Sequence, residues 1–293
     1  MKNLIPALLA TILSFGATTF ALNTLNTDAL TKSSSNTKVA KEKTAKSDKK
    51  KTTKTSSKKT TSKSTNEADN IQKSFDSWNA YTKENVDLMS TFNALDEKGD
   101  DIKKSIFLTL LRTGAYIPVK TTKNDKDYYQ LTALNSDADA KIKKSIKSKA
   151  SIAHSYFKME GKKLPAYDFV DLKGKFHNKA DTKGKILVLK CWFITCKVCV
   201  EEFPELNALV DKYKDENIDF VSLAFDEKEK LVEFLKTKPF KFSTIPLQKD
   251  YMSKKLKVKQ YPSHLIVDAD GKILKMVNNV KTLTSELEKI LEK

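Results

Sequence analysis

The chain has 293 residues, with 54 Lys or Arg against 37 Asp or Glu and a formal net charge of +17. That length accommodates a leader, a linker and one or two small domains, and 3 cysteines are too few for a disulfide-stapled scaffold. The positive charge is mostly lysine in one low-complexity tract without interleaved aromatics, which argues against a nucleic-acid partner and its base-stacking platforms.

Residues 1–21 read as a secretory signal peptide. Lys2 gives the positive start, Leu4 to Phe20 is mostly apolar, and the small residues at Ala17 to Ala21 offer a cleavage site after Ala21. An uncleaved anchor is the alternative, and no cysteine follows to carry a lipid. Export places the chain in an extracytoplasmic, disulfide-permissive compartment, which is the periplasm or exterior of a bacterium. Residues 22–66 form a Lys/Ser/Thr-rich linker without apolar periodicity, expected to be disordered because it buries too little to offset the entropy of ordering. It reads as a solvated spacer, with loose contact to an anionic envelope surface as the functional alternative.

Residues 67–160 read as a mainly helical region. Ile71, Phe75, Trp78, Val86 and Met89 recur at three- and four-residue spacings, and a second helix is expected over Ile102 to Leu111, stopped by Gly114. Two strand-like runs follow, Ala115 to Val119 and Tyr128 to Leu134, and Pro118 confines the first to a sheet edge. A third helix is expected from about Asp137 to Tyr156. His154 reads as a surface or satisfied histidine.

From about residue 161 strands and helices alternate. Strands are expected at Tyr167 to Leu172, Ile186 to Cys191, Ile218 to Phe225, Phe242 to Pro246, Leu265 to Val267 and Ile273 to Val277. Helices are expected at Cys199 to Tyr213, Lys228 to Thr237, Tyr251 to Leu256 and Leu283 to Leu291. This order implies an α/β domain over 161–293, a central mixed sheet flanked by helices.

Chemistry concentrates at Cys196-Lys197-Val198-Cys199, where an apolar strand turns into a helix. Two thiols at that spacing can close and reopen a disulfide. A helix N-terminus supplies free N–H groups and partial positive charge, both of which favour the attacking thiolate. The same spacing also serves zinc, but His154, His177 and His264 form no paired ligand set. A Cu(I) site from Cys196, Cys199 and His264 is a further alternative.

Residues from about 163 onward resemble the thioredoxin-like domain of the TlpA/ResA group of exported thiol–disulfide oxidoreductases. The resemblance rests on Tyr167-Asp168-Phe169, Gly184-Lys185-Ile186-Leu187-Val188-Leu189 and Trp192. It continues through Cys196-x-x-Cys199, Glu202-Phe203-Pro204-Glu205-Leu206, Tyr261-Pro262-Ser263 and Gly271-Lys272-Ile273, all in the family's order. It implies that Cys196 attacks, Cys199 resolves, and Pro262 is a cis-proline facing the disulfide. Tyr261, Pro262 and Trp192 would border the substrate, with Trp192 packed beneath the site, and Glu202 would tune the thiols or ferry a proton. An ordinary first-turn helix acid, favoured by the dipole, is the equal alternative for Glu202. The resemblance further implies protein disulfides as substrates, a membrane or periplasmic electron donor, no cofactor, and a reducing direction.

Val198 stands where many relatives have proline, Thr195 where tryptophan often precedes the first cysteine, and Lys190 where Asp or Asn is common. The dipeptide between the cysteines helps set a potential that spans about −270 to −120 mV across such proteins, so the motif alone leaves direction open. A peroxiredoxin would need threonine three residues before its cysteine, where this chain has Phe193. A non-enzymatic copper-binding or envelope-adaptor module is the remaining alternative. Cys191 reads as a small buried hydrophobe.

Overall fold

A computed structural model describes residues 68–292, all within one compact unit. The expected signal peptide and nearly all of the linker lie outside the described residues. No helix among the described residues is long and apolar enough to cross a membrane.

Helices and a small sheet make the N-terminal region. Helix α1, Phe75–Asn85, starts at Ser74, whose hydroxyl accepts from the Ser77 N–H at 3.1 Å. Strands β1 (Asn93–Leu95) and β2 (Asp101–Ile102) precede α2, Lys104–Leu111. Gly114 then adopts φ +74°, and an added Cβ would meet Lys143 Cγ at 2.8 Å, so only glycine fits this helix exit. Strands β3 (Tyr116–Lys123) and β4 (Lys126–Ala133) form a hairpin, and α3, Ala140–Phe157, closes the region. The sheet order β2-β1-β4-β3 leaves β3 and its Pro118 at an edge, as the missing N–H requires.

Helix outweighs strand here, as expected, but the sheet is larger than the sequence pattern indicated. Strands of three and two residues are too short to show a period. The hairpin extends past Val119 because Asn124 and Asp125 both take positive φ, the geometry of a two-residue turn matched to strand twist.

The C-terminal part begins with a short antiparallel pair, β5 (Asp168–Val170) and β6 (Phe176–Asn178). The central sheet contains β7 (Ile186–Trp192), β8 (Ile218–Ala224), β9 (Ser243–Ile245), β10 (Ser263–Val267) and β11 (Ile273–Val277), ordered β11-β10-β7-β8-β9. Strands β7, β8 and β9 run parallel, whereas β10 is antiparallel to both β7 and β11. Helices α4 (Lys197–Glu201), α5 (Phe203–Lys212), α6 (Lys228–Thr237) and α7 (Val280–Leu291) complete the fold, with one π-helical turn at Tyr251–Lys255. This is the expected thioredoxin-like mixed sheet. From Leu187 to Trp192, β7 is buried on both faces, including Lys190.

The expected single helix from Cys199 to Tyr213 is instead two, divided at Glu202. Pro204 has no N–H to return to the carbonyl of Val200, so the hydrogen-bond ladder breaks there.

The two parts share polar contacts as well as a continuous core. Thr91 donates its N–H and O–H to the Glu286 carboxylate of α7 at 2.9 and 2.6 Å. Thr282 at the start of α7 donates to Asp87.

Candidate active site

Cys196 and Cys199 are joined as a disulfide with their Cα atoms 5.3 Å apart. Cys196 caps the N-terminus of α4, and its own N–H is held by the Phe193 carbonyl at 3.0 Å. Cys196 is half-buried and Cys199 fully buried. Only the first sulfur is therefore open to an incoming group. Between them Lys197 and Val198 are both exposed.

Strand β10 brings the distant Tyr261–Pro262 segment to this end of the sheet. Ser263 pairs with Cys191 and His264 with Lys190, and one further step of that register sets Pro262 beside Trp192. The Tyr261–Pro262 peptide bond is cis. Tyr261 and Cys196 both pack on one small core made of Trp192, Cys199, Phe203, Ala224 and Leu231. Four of the expected site residues, Cys196, Cys199, Trp192 and Tyr261, thus come together there, with Pro262 next to Tyr261.

Trp192 lies beneath the site and does not border the substrate. Its side chain is fully buried, 5.0 Å edge-on to Phe203, so it supports the helix from below and offers no face to an incoming chain. The physical reason is its position on the central strand, whose alternating faces are both covered.

Glu202 is not an exposed helix acid. It is buried, and every contact fixes it. Oε2 accepts from Lys190 Nζ at 2.6 Å and from His264 Nε2 at 3.0 Å, while Oε1 accepts from the Val280 N–H at 2.9 Å. Burial alone would raise its carboxyl, but the contacts with His264 and Lys190 outweigh burial and hold it below the usual carboxylate range. Burial, reinforced by the Lys190 charge, pushes His264 down and keeps the ring neutral. Nε2 then carries the proton given to Glu202, and the buried Nδ1 is a lone pair without a hydrogen-bond partner. Burial also lowers the Lys190 ammonium, the Glu202 carboxylate offsetting part of that. A fixed anion with three donors suits an electrostatic role better than proton carriage.

In the sequence Lys190 stands out only as a departure from its relatives and His264 only as a possible copper ligand. A lysine inside an otherwise apolar strand was the available signal, since a buried ammonium requires an acid partner. Nε2 of His264 is committed to Glu202. No group of three His, Cys, Asp or Glu side chains among the described residues is arranged for a metal ion.

Three aromatic rings border the loop that leads to Cys196. Phe193 stacks on Phe225 at 4.9 Å, and Tyr261 meets both edge-on at 5.5 and 5.0 Å. Asp226 accepts from the Ile194 N–H at 2.8 Å and pins the loop. At the place where a peroxidase would need a hydroxyl, Phe193 supplies a ring. Cys191 is fully buried, and burial pushes its thiol up to about 12, the behaviour of a structural cysteine.

Comparison with known proteins agrees with this geometry. The AhpC/TSA family profile matches residues 160–276. Thiol-disulfide oxidoreductase ResA of Bacillus thuringiensis subsp. konkukian is 33% identical over 138 residues, covering 46% of this chain and 79% of that protein. The thioredoxin-like protein YneN of Bacillus subtilis is 29% identical over 138 residues, covering 45% of this chain and 79% of that protein. Among solved structures, the thioredoxin domain of a thiol-disulfide oxidoreductase from Bacteroides vulgatus is 26% identical at a TM-score of 0.41, covering 45% of this chain and 96% of that one. The match to ResA, over most of that protein's length and with a bonded Cys196–Cys199 pair at a helix start, shows the family: the chain belongs to the ResA-type thiol–disulfide oxidoreductases of the thioredoxin fold.

Proposed function

We propose that this oxidoreductase is exported and reduces disulfides in other proteins. The observation that carries the reading is the asymmetry of the pair, with Cys196 accessible and Cys199 sealed. In the reduced enzyme the Cys196 thiolate attacks one sulfur of a substrate disulfide. A mixed disulfide forms, and the other substrate sulfur leaves as a thiolate that takes up a proton. Cys199, deprotonated in turn, attacks Cys196 Sγ and expels the second substrate thiolate. The substrate gains two electrons and two protons, and the enzyme is left as the Cys196–Cys199 disulfide, the state in the structure. A separate membrane or periplasmic donor must then return two electrons.

Tyr261 and Pro262 supply the substrate-facing backbone in this reading, and no cofactor is required. Glu202, held anionic and three residues after Cys199 in the chain, favours the protonated thiol over the thiolate at the resolving position. The signal segment at 1–21 supports export, and the lysine-rich composition of residues 22–66 supports loose contact with an anionic envelope surface.

The test is insulin reduction with a chemical donor. Cys196→Ala is expected to abolish turnover, and Cys199→Ala to accumulate a mixed disulfide visible by mass spectrometry. Parental turnover by Cys196→Ala overturns the mechanism. The N-terminal mass of protein recovered from the cell exterior checks export and cleavage after Ala21.

A further inference from the structure

The loop that carries Tyr261 and Pro262 has no strand partner until Ser263, so its backbone groups need partners elsewhere. Two of its N–H groups meet one side chain, and it comes from outside the matched residues 160–276. Tyr156 lies on the last turn of α3, at the end of a buried stripe formed by Ile142, Ile146, Ala150 and Ala153. It is 0% exposed. Its hydroxyl accepts from the N–H of Lys259 at 3.1 Å and of Gln260 at 3.2 Å, and lies 2.7 Å from Ser263 Oγ.

The Tyr156 oxygen also lies 3.4 Å from the Gln260 carbonyl, and the shorter contact to Ser263 decides where its one proton goes. Ser263 Oγ donates to the Gln260 carbonyl at 2.7 Å, so the Tyr156 O–H donates to Ser263. The phenol then gives one hydrogen bond and takes two, which saturates it. The four loop residues Lys259, Gln260, Tyr261 and Pro262 are thereby clamped at both ends of the segment by one oxygen. Burial raises the Tyr156 phenol, so it stays protonated and the donor role persists through the physiological range.

We infer that Tyr156 is a positioning residue for thiol–disulfide exchange, through which the N-terminal region sets the substrate-facing loop of a domain it does not belong to. This rests on the reduction of protein disulfides proposed above. A substrate chain that pairs with the Tyr261 backbone needs that backbone held in place before binding. A small disulfide reagent needs only the Cys196 sulfur. The N-terminal region is therefore part of the protein-substrate site and not a spacer.

The experiment compares the full-length parent with Tyr156→Phe, which keeps the ring and removes only the hydroxyl. Insulin and dithiobis(nitrobenzoate) serve as the two disulfide substrates. The variant, which frees the loop from all three hydrogen bonds to the phenol, is expected to raise KM for insulin by about three- to tenfold, with kcat and the reagent rate within about twofold of the parent. Ser263→Ala removes the same contact from the loop side and is expected to shift KM in the same direction. The double variant should raise KM by less than the product of the two single effects. If Tyr156→Phe does not fold, Ser263→Ala alone carries the KM comparison. Unchanged insulin kinetics in the variant that folds overturn the inference, as does an equal loss toward both substrates. A parent inert toward both substrates refutes the reductase reading instead, so the two failures are separable.

Discussion

Replacing Glu286 by glutamine should destabilise the protein at neutral pH and have little effect below pH 2. Glu286 sits on α7 with a side chain only 2% exposed. Its carboxylate receives the N–H and O–H of Thr91 from the N-terminal region, Lys289 Nζ at 2.9 Å and Lys275 Nζ at 3.5 Å. Burial alone would raise the carboxyl, but these partners overcome it and hold the group at about 2 against an ordinary 4.5. At about 1.4 kcal/mol for each tenfold change in proton affinity, the ionised form stabilises the fold by about 3 kcal/mol. The folded value is the depressed one. The contribution is therefore complete above pH 4.5 and fades as pH falls toward 2. Glutamine keeps the shape and can still accept from Thr91, so the variant should lose roughly 1–3 kcal/mol at pH 7. Below pH 2 the parental carboxyl is protonated and resembles the amide. Urea unfolding of both proteins across that pH range measures the difference, and carboxylates common to both cancel. A difference that is absent at pH 7, or constant at every pH, refutes the reasoning.

Three further outcomes follow from the site. In the oxidised native protein Cys191 should not react with thiol reagents at pH 8, because burial holds its thiol at about 12, and it should react only after denaturant is added; fast labelling in the native state overturns this. Lys190→Met leaves Glu202 buried with one partner fewer and should cost about 3–5 kcal/mol in urea unfolding, and adding Glu202→Gln should return part of that loss. Val198→Pro changes the exposed dipeptide without touching the core, so it should shift the Cys196–Cys199 reduction potential measured against glutathione by tens of millivolts, roughly, while the melting temperature stays near the parent's.

The sequence by itself determined the reaction and most of the frame. The cysteine spacing, the apolar strand before it and the Tyr261-Pro262 pair were local patterns, and local patterns are what periodicity and motif reading detect. Helix α6 and strand β11 emerged at the boundaries their apolar spacing gave, and Pro118 named its own sheet edge. What stayed hidden was set by contacts between residues far apart in the chain. Two very short strands carry no period, and the hairpin at Asn124-Asp125 hides in a polar edge. Glu202 could be an exposed acid or a buried one until the fold set Lys190 and His264 against it from two neighbouring strands. Trp192 could face a substrate until both faces of its strand were covered. Tyr156 carried no motif at all. Its meaning comes from a phenol oxygen meeting a loop 103 residues later, and only tertiary packing places one beside the other.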